Sequence, residues 1–394
     1  MTRPTAPSAA LHCLVCGDGE LLPVQGFGEL PRITSDCRPF RLGGELAVCR
    51  DCGAVQKLPT ASWLAEIREI YAVYESYYQS GGDEQIVFDR ASGKPRRRSD
   101  VLMERIAATN ALPERGVALD VGCGNGVTLS SMCAALPAWS LNGFELGEGA
   151  LARLQRIPRF DRLHTRSLAA IGRRFDLVTM VHSLEHFPDP HGALLEIRPL
   201  AGDGHLFVEV CNVEQNPFDV LVADHLMHFS PATLARLLAH AGFAVSMSAA
   251  DWVPKEISVL ARPVSGEVVL PGPERTGDVH RRISEYVQWL RDVAALGRRL
   301  ADDARLLGIF GTSIAATWLA AQLQDRVAFF VDEDESRVGR QHLGKPIHRP
   351  ADVPRGAVVY LALAPAIASL IAGRLGTSGL DLVLPPALSA RAGQ

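Results

Sequence analysis

Four cysteines near the start of the chain have the spacing of a metal site. Cys13-Leu-Val-Cys16 and Cys49-Arg-Asp-Cys52 are two CxxC turns, each followed by a glycine, Gly17 and Gly53. A CxxC turn sets two thiolates on one side of a tight loop. Two such turns supply the tetrahedral four-sulfur set preferred by structural zinc. A glycine after each pair lets the backbone turn sharply under an ion. A closed four-thiolate site has no open position for water, so its expected role is to hold the fold. The competing reading is a pair of redox dithiols. Cys37 lies between the pairs and reads as a bystander.

A second group of residues suits small-molecule chemistry. The run Asp120-Val-Gly122-Cys123-Gly124-Asn125-Gly126 follows a strand-like segment and opens a helical one. Glycines there let the backbone approach a ligand. Glu145 ends the next apolar run, where an acid can accept hydrogen bonds from a ribose diol. The third glycine comes too early for the GxGxxG of a nicotinamide site. Two histidine groups follow, His182-Ser-Leu-Glu185-His186 and Asp224-His225-Leu-Met-His228. Histidine suits proton transfer near neutrality, and a neighbouring carboxylate orients it and raises its pKa. The plainer reading of His225 is a helix-capping or packing residue, and His228 reads as structural.

The scaffold for these residues is expected to be α/β. With 394 residues, the chain is long enough for two to four domains. Hydrophobic residues make up 47% and charged residues 21%, as in a folded protein. The net charge of −4, from 40 basic and 44 acidic residues, argues against nucleic acid as a partner. No apolar run reaches the roughly 18 residues of a membrane span, and the N-terminus does not read as a signal peptide. A cytoplasmic location with reduced thiols is therefore expected, as a monomer or weak homodimer.

Three segments divide the chain. Residues 11–78 form the cysteine module and a tyrosine-rich segment with Tyr71, Tyr74, Tyr77 and Tyr78. The basic run Lys94-Pro-Arg-Arg-Arg-Ser-Asp100 reads as a solvated linker, with Ser99 or Asp100 capping a helix over 101–110. Within 79–262, apolar runs at 117–121, 141–144, 177–181 and 205–210 alternate with helical stretches, the rhythm of a parallel doubly wound sheet. Runs at 243–247 and 257–261 are expected to close it. A Pro/Gly-rich stretch, 263–277, precedes a third unit over 276–394. There a helix is expected over 279–303, strands at 306–310 and 327–331, and a helix over 314–323.

The loop 120–126 with Glu145 and the Phe175-Asp176 start of the fourth strand segment resembles the class I methyltransferases that use S-adenosylmethionine. The resemblance implies a cofactor cradle of Asp120, Gly122, Cys123, Gly124, Asn125, Gly126 and Glu145, with Leu146, Ser167, Leu168 and His182 added. The order of all three segments resembles a narrower group, the sugar C-methyltransferases of deoxysugar pathways. They carry a four-cysteine zinc module, a central methyltransferase domain and a C-terminal Rossmann-like domain. Further matches are Gly308-Ile-Phe-Gly311, Phe330-Val-Asp332 and Gly344-Lys-Pro-Ile347. That group methylates carbon 3 of a nucleotide-linked 4-keto sugar. The resemblance implies His225, paired with Asp224, as the base, His186 as a polar substrate-site residue and a tyrosine at Tyr77 or Tyr78. It also implies zinc on Cys13, Cys16, Cys49 and Cys52 and a nucleotide-holding C-terminal domain. Val222 replaces the tyrosine often found three residues before the histidine. The alternatives are an O- or N-methyltransferase on another small metabolite, and a non-catalytic sugar-nucleotide-binding protein.

Overall fold

Strands covered on both faces should read as continuous apolar runs, and the central ones between 116 and 211 do, whereas the edge strands Phe160–His164 and Phe243–Ala249 are partly exposed. They form a seven-stranded sheet. Its spatial order is Phe160–His164, Trp139–Phe144, Gly116–Val121, Leu177–Val181, His205–Cys211, Glu256–Pro263 and Phe243–Ala249. The first five are parallel. Glu256–Pro263 runs antiparallel to both neighbours, slotted between the fifth strand and the edge. The helices Arg98–Ala108 and Val127–Ala135 bury Leu102, Ile106, Leu129 and Met132 on one face. Pro190–Ala201 and Pro231–His240 bury Leu194, Ile197, Leu234 and Leu237 on the other. This computed structural model describes residues 12–17, 19–74, 84, 86–89, 94–304, 306–377 and 379–388.

The basic run at 94–100 is not a solvated linker. Lys94–Arg97 pairs antiparallel with Ile86–Asp89, and the following helix starts at Arg98. The reason is Glu84, which is 4% exposed. Its carboxylate accepts from the Ser99 amide at 3.0 Å and lies 3.5 Å from Arg98 Nε, supplying the charge and the helix-start acceptor that a linker would lack.

The N-terminal strands Leu21–Pro23, Leu46–Cys49 and Val55–Lys57 form an antiparallel sheet whose fourth strand, Met227–His228, comes from the central unit. The C-terminal sheet has the order Gln341–His342, Lys345–His348, Phe329–Val331, Leu307–Phe310, Val358–Tyr360 and Asp381–Val383. All its pairings are parallel except the outer Gln341–His342. The connecting helix Thr276–Asp303 is amphipathic over 28 residues. Its buried Val279, Ile283, Leu290 and Val293 belong to one core with Val24, Phe27 and Leu30 near the N-terminus and Trp318 and Leu319 in the third unit. Trp318 Nε1 donates to the Pro31 carbonyl at 2.8 Å. The first and third segments thus share a single apolar interior.

Candidate active site at the carboxyl edge of the central sheet

The glycine loop leaves the strand Gly116–Val121 in a left-handed turn. Gly122 has φ 77°, and a Cβ there would lie 2.7 Å from the Ser183 Cβ, so only glycine fits. The amides of Gly122 and Cys123 both donate to the Phe144 carbonyl, at 2.9 and 3.1 Å. Glu145, half-buried beside the loop, accepts from Gly124 N at 3.0 Å and Leu146 N at 2.8 Å. A carboxylate has about four lone-pair positions, so two remain for a ligand.

Gly122, Cys123, Gly124 and Asn125 line a cleft of about 240 Å³, open to solvent, between the central sheet, the N-terminal segment and the C-terminal unit. Asp120, Gly126, Glu145, Leu146, Ser167 and Leu168 are not part of its lining. Asp120 is 1% exposed and braces the next strand, accepting from Thr179 Oγ1 at 2.6 Å; burial pushes its carboxyl up to about 7. Gly126 caps the helix Val127–Ala135. Ser167 caps the short turn Leu168–Ala170, and Leu168 is buried in the apolar core. Leu146 is exposed.

The acid–histidine pairing differs from expectation. Asp224 does not hold His225. His225 Nδ1 meets Asp219 Oδ1 at 2.8 Å, and His228 Nδ1 meets Asp219 Oδ2 at 2.7 Å. Asp224 stands in a turn closed by the His225 amide donating to the Val222 carbonyl at 3.3 Å, and its side chain faces the N-terminal segment instead. Its carboxylate accepts from the Ser35 amide at 2.8 Å and the Ser35 hydroxyl at 2.5 Å, and lies 3.3 Å from His186 Nδ1. The His186 and His225 rings meet edge to face, 4.7 Å between centroids. Both line the cleft. Burial opposes ionisation of His186, yet the Asp224 carboxylate raises its pKa overall. Burial also opposes the charge on Asp219, but His228 and His225 hold it well below the usual carboxylate range.

The strand Met227–His228 brings a fourth group to this network. Lys57, fully buried, points Nζ at the carbonyls of Val222 and His225 and at His228 Nε2. Burial lowers it to about 7 against the pull of Asp219, and burial together with Lys57 holds His228 down to about 4. Tyr77 and Tyr78 lie outside the described residues. Tyr71, at the end of the helix Ala61–Tyr71, places its hydroxyl 3.1 Å from His186 Nδ1.

His182 is differently placed. Its Nδ1 lies 3.3 Å from Glu185, and its Nε2 lies 3.7 Å from Glu209 and 3.6 Å from Glu256. Burial and Arg98 push its pKa down, but Glu256, Glu185 and Glu209 more than reverse this, to about 10. Such a ring is cationic near neutrality and unsuited to taking up a proton.

The four N-terminal cysteines converge as expected. Cys13 and Cys52 Sγ are 3.5 Å apart, and Cys16 and Cys49 Sγ 3.6 Å. A tetrahedral site with bonds of ~2.3 Å needs sulfurs about 3.8 Å apart, far beyond the roughly 2.05 Å of a disulfide. All four can offer ligand atoms within 4.8 Å of one another. A Cβ on Gly19 would lie 2.2 Å from Cys49 Sγ, so the loop beside the sulfurs has no room for a side chain. The set fits a metal ion.

Residues 95–246 match the model of a family described as a methyltransferase domain. That segment is a methyltransferase domain. Over 126 residues the chain is 30% identical to the ubiquinone biosynthesis O-methyltransferase of Pseudomonas syringae pv. tomato, covering 29% of this chain and 53% of that protein. The corresponding enzyme of Pseudomonas putida is 32% identical over 114 residues, covering 27% and 47%. The chain thus spans about half the length of the curated relatives it matches. Among solved structures, a methyltransferase of calicheamicin biosynthesis aligns with a TM-score of 0.36 and 17% identity, over 42% of this chain and 54% of that one. A methyltransferase from Aquifex aeolicus aligns with a TM-score of 0.36 and 18% identity, over 42% and 93%. No helix among the described residues is long and apolar enough to cross a membrane.

Proximity in the fold reveals residues that sequence order hides. Asp219 is six positions from His225, on the short turn Pro217–Leu221, with no local mark of its role. Lys57 sits in a strand whose three residues are all buried, so nothing in its alternation separates it from core. Glu209 is paired with Ser258, and Cys211 with Glu256, across the strands His205–Cys211 and Glu256–Pro263, a proximity of the two carboxylates visible only once the sheet order is known.

Proposed function

We propose that the protein transfers a methyl group from S-adenosylmethionine to a small metabolite bound in the cleft, with His225 as general base. The observation that carries this reading is the His225–Asp219 contact. Asp219 occupies Nδ1, leaving Nε2 as the nitrogen available to a ligand in the cleft. Bound S-adenosylmethionine supplies a methyl group already activated on a sulfonium. The loop Gly122–Asn125 fits its amino-acid part and Glu145 its ribose.

The acceptor we propose is the carbon next to the ketone of a nucleotide-linked keto sugar. His225 takes the α-proton on Nε2, and the C–H electron pair forms the enolate. That carbon then bonds to the methyl carbon as the methyl–sulfur bond breaks. His186, whose affinity for a proton is raised by Asp224, is suited to donate to the enolate oxygen. Support comes from the order of the three units and from the far wall of the cleft. There Ser313, Ile314 and Ala315 open the helix Ile314–Leu323 beside Arg337. Helix-start amides and a guanidinium suit a diphosphate. The same units lead us to propose zinc on Cys13, Cys16, Cys49 and Cys52.

A second reading, O- or N-methylation of another metabolite, is favoured by the likeness to ubiquinone O-methyltransferases and needs only a hydroxyl or amine deprotonated by the same His225. Incubation with S-adenosylmethionine and keto-sugar nucleotides, read by mass spectrometry, tests the first. Substrate deuterated at the α-carbon loses its label in C-methylation and keeps it in O-methylation. Absence of product with every keto-sugar nucleotide, alongside methylation of a hydroxyl compound, would reverse the order of the two readings.

A further inference from the structure

Beneath His225 lies a buried cation that no substrate can reach. Lys57 is 0% exposed, and its Nζ has three neighbours: the Val222 carbonyl, the His225 carbonyl at 2.9 Å and His228 Nε2 at 3.2 Å. A carbonyl oxygen only accepts, so two Nζ protons are committed. The third contact allows two arrangements. Either an ammonium donates its last proton to Nε2, or a neutral amine accepts one from a histidinium. In both, the His228 Nδ1 proton points to Asp219 Oδ2, 2.7 Å away, and the Lys57–His228 pair carries one positive charge.

That charge balances Asp219. The other charged or titratable groups around His225 are compensated locally. Asp224 is answered by His186 and Ser35, and Glu185 by His182. Asp219 touches two histidines, and if nothing else supplied a positive charge, one of them would have to. His225 borders the cleft, whereas His228 is 1% exposed, so His225 would be the cheaper ring to charge. We propose that Lys57, acting through His228 and Asp219, keeps His225 neutral, with its proton on Nδ1 and its lone pair on Nε2. Lys57 is thus a positioning residue for the base, contributed by the N-terminal sheet. The kinetic consequence rests on His225 being the base; the charge balance does not.

Two measurements on the full-length protein decide the matter. Side-chain nitrogen NMR of the ligand-free wild type at pH 7 should show His225 neutral and protonated on Nδ1. An Nε2-protonated ring or an imidazolium overturns the proposal, and this result needs no variant. In Lys57→Met, the acid limb of the kcat/KM–pH profile should move up by one unit or more. Turnover then falls about tenfold near neutrality and recovers as the pH is raised. The His225 ring signals should shift over the same range. A loss equal at every pH, with unchanged His225 signals, makes Lys57 mere scaffold and refutes the proposal. Full activity of His225→Ala would refute the base reading instead, while the NMR result would still report the charge balance.

Discussion

His182 and His225 line the same cleft, each against buried carboxylates, yet their chemistry should be opposite. Glu185, Glu209 and Glu256 surround His182 and together raise its pKa to about 10 against the opposing effects of burial and Arg98. One aspartate serves His225, and Lys57 with His228 answers it from behind. A carboxylate next to a histidine therefore does not by itself make a base. What matters is how many charges share the site and whether another cation balances them.

The largest expected effect is on the His225 side. His225→Ala should cut turnover by about a thousandfold with S-adenosylmethionine affinity unchanged, measured by steady-state kinetics and calorimetry. Equal loss of cofactor binding would dissolve the contrast. Asp219→Asn should cost about a hundredfold in kcat and Asp224→Asn about tenfold, because only Asp219 holds the base directly. The reverse order would restore the pairing with Asp224.

A stability measurement sharpens the other side. His182→Gln strips the cation from three buried glutamates and should destabilise the fold by about 3–5 kcal/mol at pH 6, read from urea midpoints. The sign follows from the raised pKa. The folded ring keeps its proton up to about 10, so its contribution is full below the ordinary histidine value of 6.5 and is lost progressively as pH rises from there through 10. The gap between variant and wild type should therefore narrow as pH rises from 6.5 to 10 and level off above it. The smallest expected effect concerns metal removal. A strong chelator should loosen the sheet that holds Met227–His228, lowering turnover several-fold while leaving cofactor binding near the glycine loop intact.

The inner strands of the central sheet were legible in the sequence because they are apolar and the loop glycines follow one of them directly; the edge strand Phe160–His164, with Asp161, Arg162 and His164, carries no apolar run and was not read. The strand Leu177–Val181 and the helix Ile314–Leu323 stand where the apolar pattern put them. The cysteine cluster was equally readable, since ligand type and spacing suffice. What stayed hidden depended on residues meeting from different segments. Asp224 is adjacent to His225 in sequence, but the turn there sends its carboxylate to Ser35 and His186, and the partner of His225 is Asp219. The pairing of Met227–His228 with Val55–Lys57 joins elements far apart in the chain, and no local pattern announces it.

The shared interior of the first and third units sets an order of assembly. Val24, Phe27 and Leu30 share one core with the helix Thr276–Asp303, and Trp318 meets Pro31 across 287 residues of chain. During synthesis the cysteine loops emerge before the helix Thr276–Asp303 and Trp318, so the apolar side of their sheet must wait for those later segments to leave the ribosome. The N-terminal segment is therefore the part most exposed to chaperones and to premature oxidation of its thiols while the chain is still growing.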